Sequence, residues 1–287
     1  MFLLDAERLI RRQGLAYNSS LECRLLHHMY SYLRVLAETM GTLLEAPTDD
    51  MAGELTDPPE KGGRFCLAEE CYNVGLDLSI DKDVDLGFTD IHLQVQGRWE
   101  KSLYPSIYGF PESLWTILSQ ITATANEQVR VNSLQPLGST LVSALQNHIH
   151  DLEDSIWGWT SQELVGPVGP DNMRSTTDPK HWNQRSARSL TQALHQSLIL
   201  HFYRKIYNVS TMILQDTVGR ALEHLEICME SIDNPDLTIC IAWAAIVAAR
   251  EARNANHKEK ATTILEAIGK KGILLGDRAV KQAVRVA

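Results

Sequence analysis

Seven residues of this chain combine a polar or cationic tip with strongly apolar helical surroundings: His28, Tyr32, His201, Tyr203, Arg204, Trp243 and Arg250. If the segments that carry them converge, they line an apolar pocket with a few directional groups, the usual form of a small-molecule site. His28 and Tyr32 stand one helical turn apart, which makes a donor/acceptor pair rather than a metal pair. Chemistry that needs shape plus one acid or base suits this set. His28, Tyr32, His201 and Arg250 are therefore the candidate catalytic groups, and Tyr203, Arg204 and Trp243 the candidate ligand-binding groups. The bland alternative for each is a satisfied core hydrogen bond, or a long side chain that snorkels to the surface.

Other chemistries lack their residues. There is no G-x-S-x-G, Walker loop, G-x-G-x-x-G or H-E-x-x-H. Cys66 and Cys71 have no second thiol pair to complete a zinc site. Adjacent His27 and His28 would point about 100° apart on a helix, and His148 with His150 meets the same difficulty. Asp81, Asp83 and Asp85 imitate the first half of a calcium loop, but Leu86 occupies the position of the sharp-turn glycine and His92 that of the bidentate glutamate. A solvated acidic loop is the expectation, with no metal and no cofactor.

Charge and composition narrow the partners. Lys and Arg total 27 against 36 Asp and Glu, a net charge of −9 that repels nucleic-acid phosphates. No basic cluster exceeds Lys270-Lys271. Five scattered cysteines read as reduced and intracellular, in nucleus or cytoplasm. The charged residues within Met1–Ile10 exclude a signal peptide, and the longest apolar run, Leu237–Ala249, falls short of the ~20 residues of a membrane span.

The elements that must position the seven residues follow from apolar spacing. Leu25, Met29, Leu33, Leu36, Met40 and Leu43 draw one stripe over Leu21–Leu44, with Leu25, His28, Tyr32 and Val35 beside it. That wide arc predicts a helix buried on two sides, preceded by a short helix over Ala6–Gln13 that Gly14 stops. Ile91, Leu93 and Val95 alternate with polar residues and predict a short extended segment. Further helices are expected over Glu112–Arg130, Leu141–Trp157, a stripe of Leu190, Leu194, Leu198 and His201, and a stripe of Leu214, Val218, Leu222, Leu225, Met229 and Ile232 capped by Ser210. Pro235 suits a helix start, and two last helices run over about 257–270 and 277–286, around a Gly272 turn. The fold class is all-α: a multi-helix, orthogonal or layered helical domain with long loops. It divides into a helical part over 1–165 with an acidic loop at 46–97, a linker-like loop at 166–180 and a helical part over 181–287, expected to form one compact unit.

Several blocks, in order along nearly the whole chain, carry a resemblance. They are Phe2-Leu-Leu-Asp-Ala-Glu-Arg-Leu-Ile10 running to Leu25-Leu-His-His-Met-Tyr30, then Asp90-Ile-His-Leu93 with Gly97-Arg-Trp99. Tyr104-Pro105, Ile107 to Ser113, Leu118-Ser-Gln120 and Ala125-Asn126 follow. Phe202-Tyr-Arg204, Asn208-Val209, Ile213-Leu-Gln215, His224-Leu225, and Trp243 through Glu251-Ala252 complete them. The chain resembles the regulatory, middle-homology region of fungal-specific zinc binuclear cluster transcription factors, of the arginine-metabolism-regulator type. The resemblance implies an all-α region that senses effectors or partners and modulates transcription. The six-cysteine DNA-binding module is not present in this sequence, so no direct contact with nucleic acid is expected. Ala123, Ala244-Ala-Ile246 and Ala249-Arg250 depart from the family pattern, as does the carboxyl end.

Two functions are consistent with these residues. The first is regulatory: a transcription-factor-like helical domain binds a small apolar metabolite, a full-length transcription-factor relative, or a second copy through the Leu214–Ile232 stripe. The second is enzymatic: a stand-alone, cofactor-independent isomerase or cyclase of secondary metabolism uses the same pocket. Neither needs a membrane.

Overall fold

The computed structural model describes residues 2–13, 20–44, 65–67, 80–95, 97–133, 139–159, 184–230 and 238–270. Among them are ten helices and no strand. In chain order these are α1 (Phe2–Gln13), α2 (Leu21–Leu44), α3 (Val84–Thr89), α4 (Tyr104–Tyr108), α5 (Glu112–Ser133), α6 (Ser139–Gly158), α7 (Gln184–Lys205), α8 (Gln215–Glu230), α9 (Thr238–Glu251) and α10 (Ala255–Lys270). The all-α expectation is met. Gly14, Cys71, Ile232, Pro235, the 166–180 linker, most of the 46–97 loop and the 277–286 helix lie outside the described residues. No described helix is long and apolar enough to cross a membrane. The chain forms two compact units, Met1–Leu103 with Trp115–Ser155, and Tyr104–Leu114 with Ile156–Ala287.

In the first unit α2 packs on α5. Tyr32 stacks on Trp115 with ring centroids 4.8 Å apart, and the Trp115 indole donates to the Tyr32 carbonyl at 3.3 Å. Two turns further along, the hydroxyls of Thr39 and Thr122 meet at 2.9 Å while each also bonds its own helix. The buried face of α2 is carried by His28, Tyr32, Val35, Leu36 and Met40. A second side is buried as expected, but it is carried by Tyr30 and Arg34, which reach Glu7 of α1, and not by the leucine stripe: Leu26 is 66% and Met29 48% exposed, and Leu25 and Leu33 are also exposed. The apolar stripe thus overstates the core, because hydrophobic residues need not be inside.

The 91–95 segment is turns and bends, not an extended strand. Asp90 is the cause. Its carboxylate accepts the backbone N–H groups of Gln94 at 2.7 Å and Val95 at 2.8 Å, four and five residues on, which wraps the chain around the side chain. Leu93 adopts a φ of 54° to complete the turn. Asp90 itself is buried, held by Lys82 Nζ at 3.0 Å, so part of the acidic run is structural rather than solvated. Asp83 caps α3 by accepting from Asp85 and Leu86.

The second unit is built from α7, α8, α9 and α10 packed on one another. Every described side chain of α9 from Ile241 to Ala249 is buried, and most are alanine. A helix apolar all round must be central, and its alanines let the neighbouring backbones come close. The α7 stripe of Leu190, Leu194, Leu198 and His201 is buried against it. The α8 stripe of Leu214, Val218, Leu222 and Leu225 is likewise taken up by the core rather than by a second copy. Ser210 does not cap α8. Its carbonyl accepts from Ile213 in a turn, and the helix starts at Gln215. Asn254 instead caps α10, accepting the His257 N–H at 2.7 Å.

Candidate functional site

The seven residues divide between the units. His28 and Tyr32 belong to the first, and His201, Tyr203, Arg204, Trp243 and Arg250 to the second.

In the first unit His28 is a tether. Its Nε2 accepts the Leu103 N–H at 3.0 Å, which requires the proton on Nδ1, and Nδ1 donates to the Arg24 carbonyl at 2.7 Å. Its ring stacks on Trp99 at 5.5 Å, and Trp99 meets Phe88 edge-on at 5.0 Å. Gly87 lies so close to the indole that a Cβ there would sit 2.3 Å from its atoms. Next to them His27 is buried, and burial, helped by the Lys82 charge, pushes its pKa down to about 4.

In the second unit His201, Trp243, Arg250 and Arg204 lie near one another along α7 and α9, whereas Tyr203 on α7 turns to Trp157 and Tyr207. His201 is 2% exposed and meets Trp243 edge-on, with ring centroids 6.0 Å apart. Its Nε2 finds no hydrogen-bond partner among the described residues. Burial, reinforced by the charges of Lys205 and Arg250, pushes its pKa down to about 3, so the ring is neutral. Arg250, half-buried at the end of α9, also has its pKa lowered by burial, against the pull of Glu251. Arg204 Nε pairs with Glu251 at 2.9 Å, and its Nη1 donates to Asn208 at 3.2 Å and to the Val209 carbonyl at 2.6 Å. The Tyr203 hydroxyl accepts the Trp157 indole N–H at 2.9 Å. Chemically, the arrangement offers one neutral imidazole nitrogen inside an apolar core, with cations at the helix ends.

Three further polar features escaped the sequence reading. Glu7 is buried in α1 and receives Tyr30 Oη at 2.9 Å, Arg34 Nε at 3.3 Å and His92 Nε2 at 3.1 Å. Burial alone would raise its pKa, but His92 and the hydrogen bonds from Tyr30 and Arg11 lower it to about 2. Arg34 also pairs with Glu38 at 2.9 Å and lies 4.7 Å above the Phe65 ring. The available signal was Arg34 and Glu38 at i, i+4 inside an apolar helix. Second, His195 on α7 bonds the Ile156 carbonyl through Nε2 at 2.8 Å and packs on Trp159. Third, an open cleft of about 430 Å³ lies between α8 and α10, lined by Gln215, Asp216, Gly219, Arg220, Glu223 and His257. A glycine within an amphipathic helix was its only trace in the sequence. No group of three or more His, Cys, Asp or Glu among the described residues is arranged to hold a metal ion.

Comparison with known proteins gives one match. The family model described as the fungal specific transcription factor domain covers residues 1–284. Neither a curated protein nor a solved structure matches the chain.

Proposed function

Since the chain belongs to the fungal specific transcription factor domain family, we propose that it is an effector-responsive regulatory domain whose second unit binds a small, largely apolar metabolite at His201. One observation carries the reading. A buried polar atom without a partner costs about 1–3 kcal/mol, and natural chains keep few of them. His201 Nε2 is one of several such atoms among the described residues, and it lies beside Trp243 in a core rich in alanine and leucine. A ligand with one hydrogen-bond donor and an apolar body satisfies it. Trp243, edge-on to His201, offers an aromatic wall, and Arg250 and Arg204 at the helix ends offer charge to a polar substituent. His28 and Tyr32 serve the first unit by fixing the 99–103 segment and α5.

Binding suits this histidine better than catalysis does. A general base works best with a pKa near the operating pH, and His201 is held at about 3. The isomerase or cyclase reading therefore lacks its base in the second unit. As a member of a transcription-factor family the domain works in nucleus or cytoplasm, transmitting ligand occupancy to a full-length relative or to a second copy.

The test is a thermal-shift series on the full chain with phenol, indole and benzene as probes of matched apolar body. Phenol and indole, which carry a donor, raise Tm; benzene raises it less. In His201→Leu the difference between donor and non-donor probes disappears. Equal shifts for phenol and benzene in the parent chain, or a difference that survives His201→Leu, would sink the assignment.

A further inference from the structure

The connection between α7 and α8 carries a feature that the His201 site does not use. Residues 206–214 are tied down at many points. Arg204 Nη1 bonds Asn208 and Val209, and the Val209 N–H bonds the Tyr203 carbonyl at 3.0 Å. Gln215 Nε2 bonds the carbonyls of Thr211 and Glu251, both at 2.8 Å, while its Oε1 accepts the Arg253 N–H at 3.0 Å. Asn208 is held at a φ of 49°, an uncommon conformation for a residue with a side chain. Ile206 and Leu214 anchor the two ends in the core.

This fixed loop displays its apolar side chains to solvent. Tyr207 is 40%, Met212 68% and Ile213 74% exposed. Trp157, 55% exposed, lies 6.4 Å from the Tyr203 ring, and Tyr203 lies 5.9 Å from Tyr207. Trp, Tyr, Met and Arg are the residues enriched at the centres of protein interfaces. Holding them rigid before binding lowers the ordering cost of association.

Charge decides the occupant. Arg253 is exposed, and three hydrogen bonds orient it: Nε to Thr211 Oγ1 at 3.1 Å, and Nη1 to the carbonyls of Arg250 at 3.1 Å and Ala252 at 3.0 Å. No carboxylate pairs with it among the described residues. Arg204, Lys205 and Arg250 add positive charge near it, whereas Glu251 is spent on Arg204. In a chain of net charge −9 this is a locally basic, apolar-centred patch. A second copy docking through the same patch, carrying the same cations, would be repelled there.

We infer that the 206–214 loop with Trp157 and Arg253 is a docking surface for an acidic peptide segment of a partner protein, with apolar anchors seated on Met212 and Ile213 and a carboxylate on Arg253. Pre-oriented arginine for the acid and exposed apolar residues for the anchors is a recurring mode of acidic-motif recognition. The anchoring residues Met212, Ile213 and Arg253 are not among those assigned to the His201 site, so either assignment survives failure of the other.

The test selects a phage-displayed library of random dodecapeptides on the immobilised full chain. Enriched peptides carry Asp or Glu beside Leu, Ile or Phe. A synthetic copy of the most enriched peptide loses about tenfold or more in affinity in Ile213→Asp, and separately in Arg253→Glu. Ile213 is so exposed that its substitution leaves Tm unchanged, which separates lost docking from lost folding. His201→Leu leaves peptide affinity unchanged. Absence of enrichment, enrichment of basic or uncharged peptides, or binding indifferent to Ile213→Asp overturns the inference. Selection of a segment of this chain itself overturns it equally, in favour of self-association.

Discussion

Two buried histidines on one helix respond to the same substitution with opposite signs. His195 bonds the Ile156 carbonyl at 2.8 Å, whereas His201 Nε2 has no partner among the described residues. His195→Leu leaves that carbonyl unpaired and destabilises by about 1–3 kcal/mol. His201→Leu removes an unpaired buried acceptor, a gain of about 1–3 kcal/mol, against roughly 1 kcal/mol for imperfect repacking. The net is a stabilisation of about 1 kcal/mol at pH 7.5, a rise of roughly 2–4 °C in Tm. Acid widens the gap. His201 binds its proton near pH 6.5 in the unfolded chain but only near 3 in the fold, so native stability falls as pH drops below 6.5. Each pH unit is worth about 1.4 kcal/mol, so at pH 5 the histidine has lost about 2 kcal/mol that leucine keeps. The advantage of His201→Leu therefore grows from about 1 to about 3 kcal/mol. Urea unfolding of parent and variants at pH 7.5 and 5 measures it. A destabilised His201→Leu with an unchanged pH slope would refute the reasoning, because Nε2 would then have a partner in the fold.

Three further outcomes follow from the first unit. Arg34→Met leaves buried Glu7 and half-buried Glu38 without their shared cation and destabilises by about 3–5 kcal/mol at pH 7, which urea unfolding checks. In the parent, Glu7, with its pKa lowered from 4.5 to about 2, contributes on the order of 2 kcal/mol above pH 4.5 and loses it as pH falls toward 2, whereas Glu7→Gln loses no such increment in acid unfolding. Gly87→Ala drives a methyl into the Trp99 indole and destabilises by about 1–3 kcal/mol, with a change in tryptophan fluorescence of the folded chain.

Long helices were legible because their spacing is local. The 3–4 recurrence in Leu21–Leu44 marks α2 to its ends, and the same rule finds α5 and α7. Exposure was not legible: Leu26 and Met29 continue an apolar pattern yet face outward, since pattern reports a face and not what covers it. The turn at 91–95 escaped because alternation over so few residues cannot outweigh one carboxylate taking two backbone N–H groups. Glu7 escaped because its partners Tyr30, Arg34 and His92 are distant in sequence. Five of the seven candidate residues fall in the second unit, where α7 and α9 bring His201 and Trp243 together. That grouping could be suspected from two apolar helices with polar tips. The missing partner of His201 Nε2 could not.

The most direct test of a regulatory role is a paired transcript and metabolite profile of a strain deleted for this chain against its parent. The expected result is a set of pathway transcripts that shift together, restored by the parent chain and not by His201→Leu. Steady transcripts with accumulation of a single intermediate would contradict it, and would make the chain an enzyme acting on that intermediate.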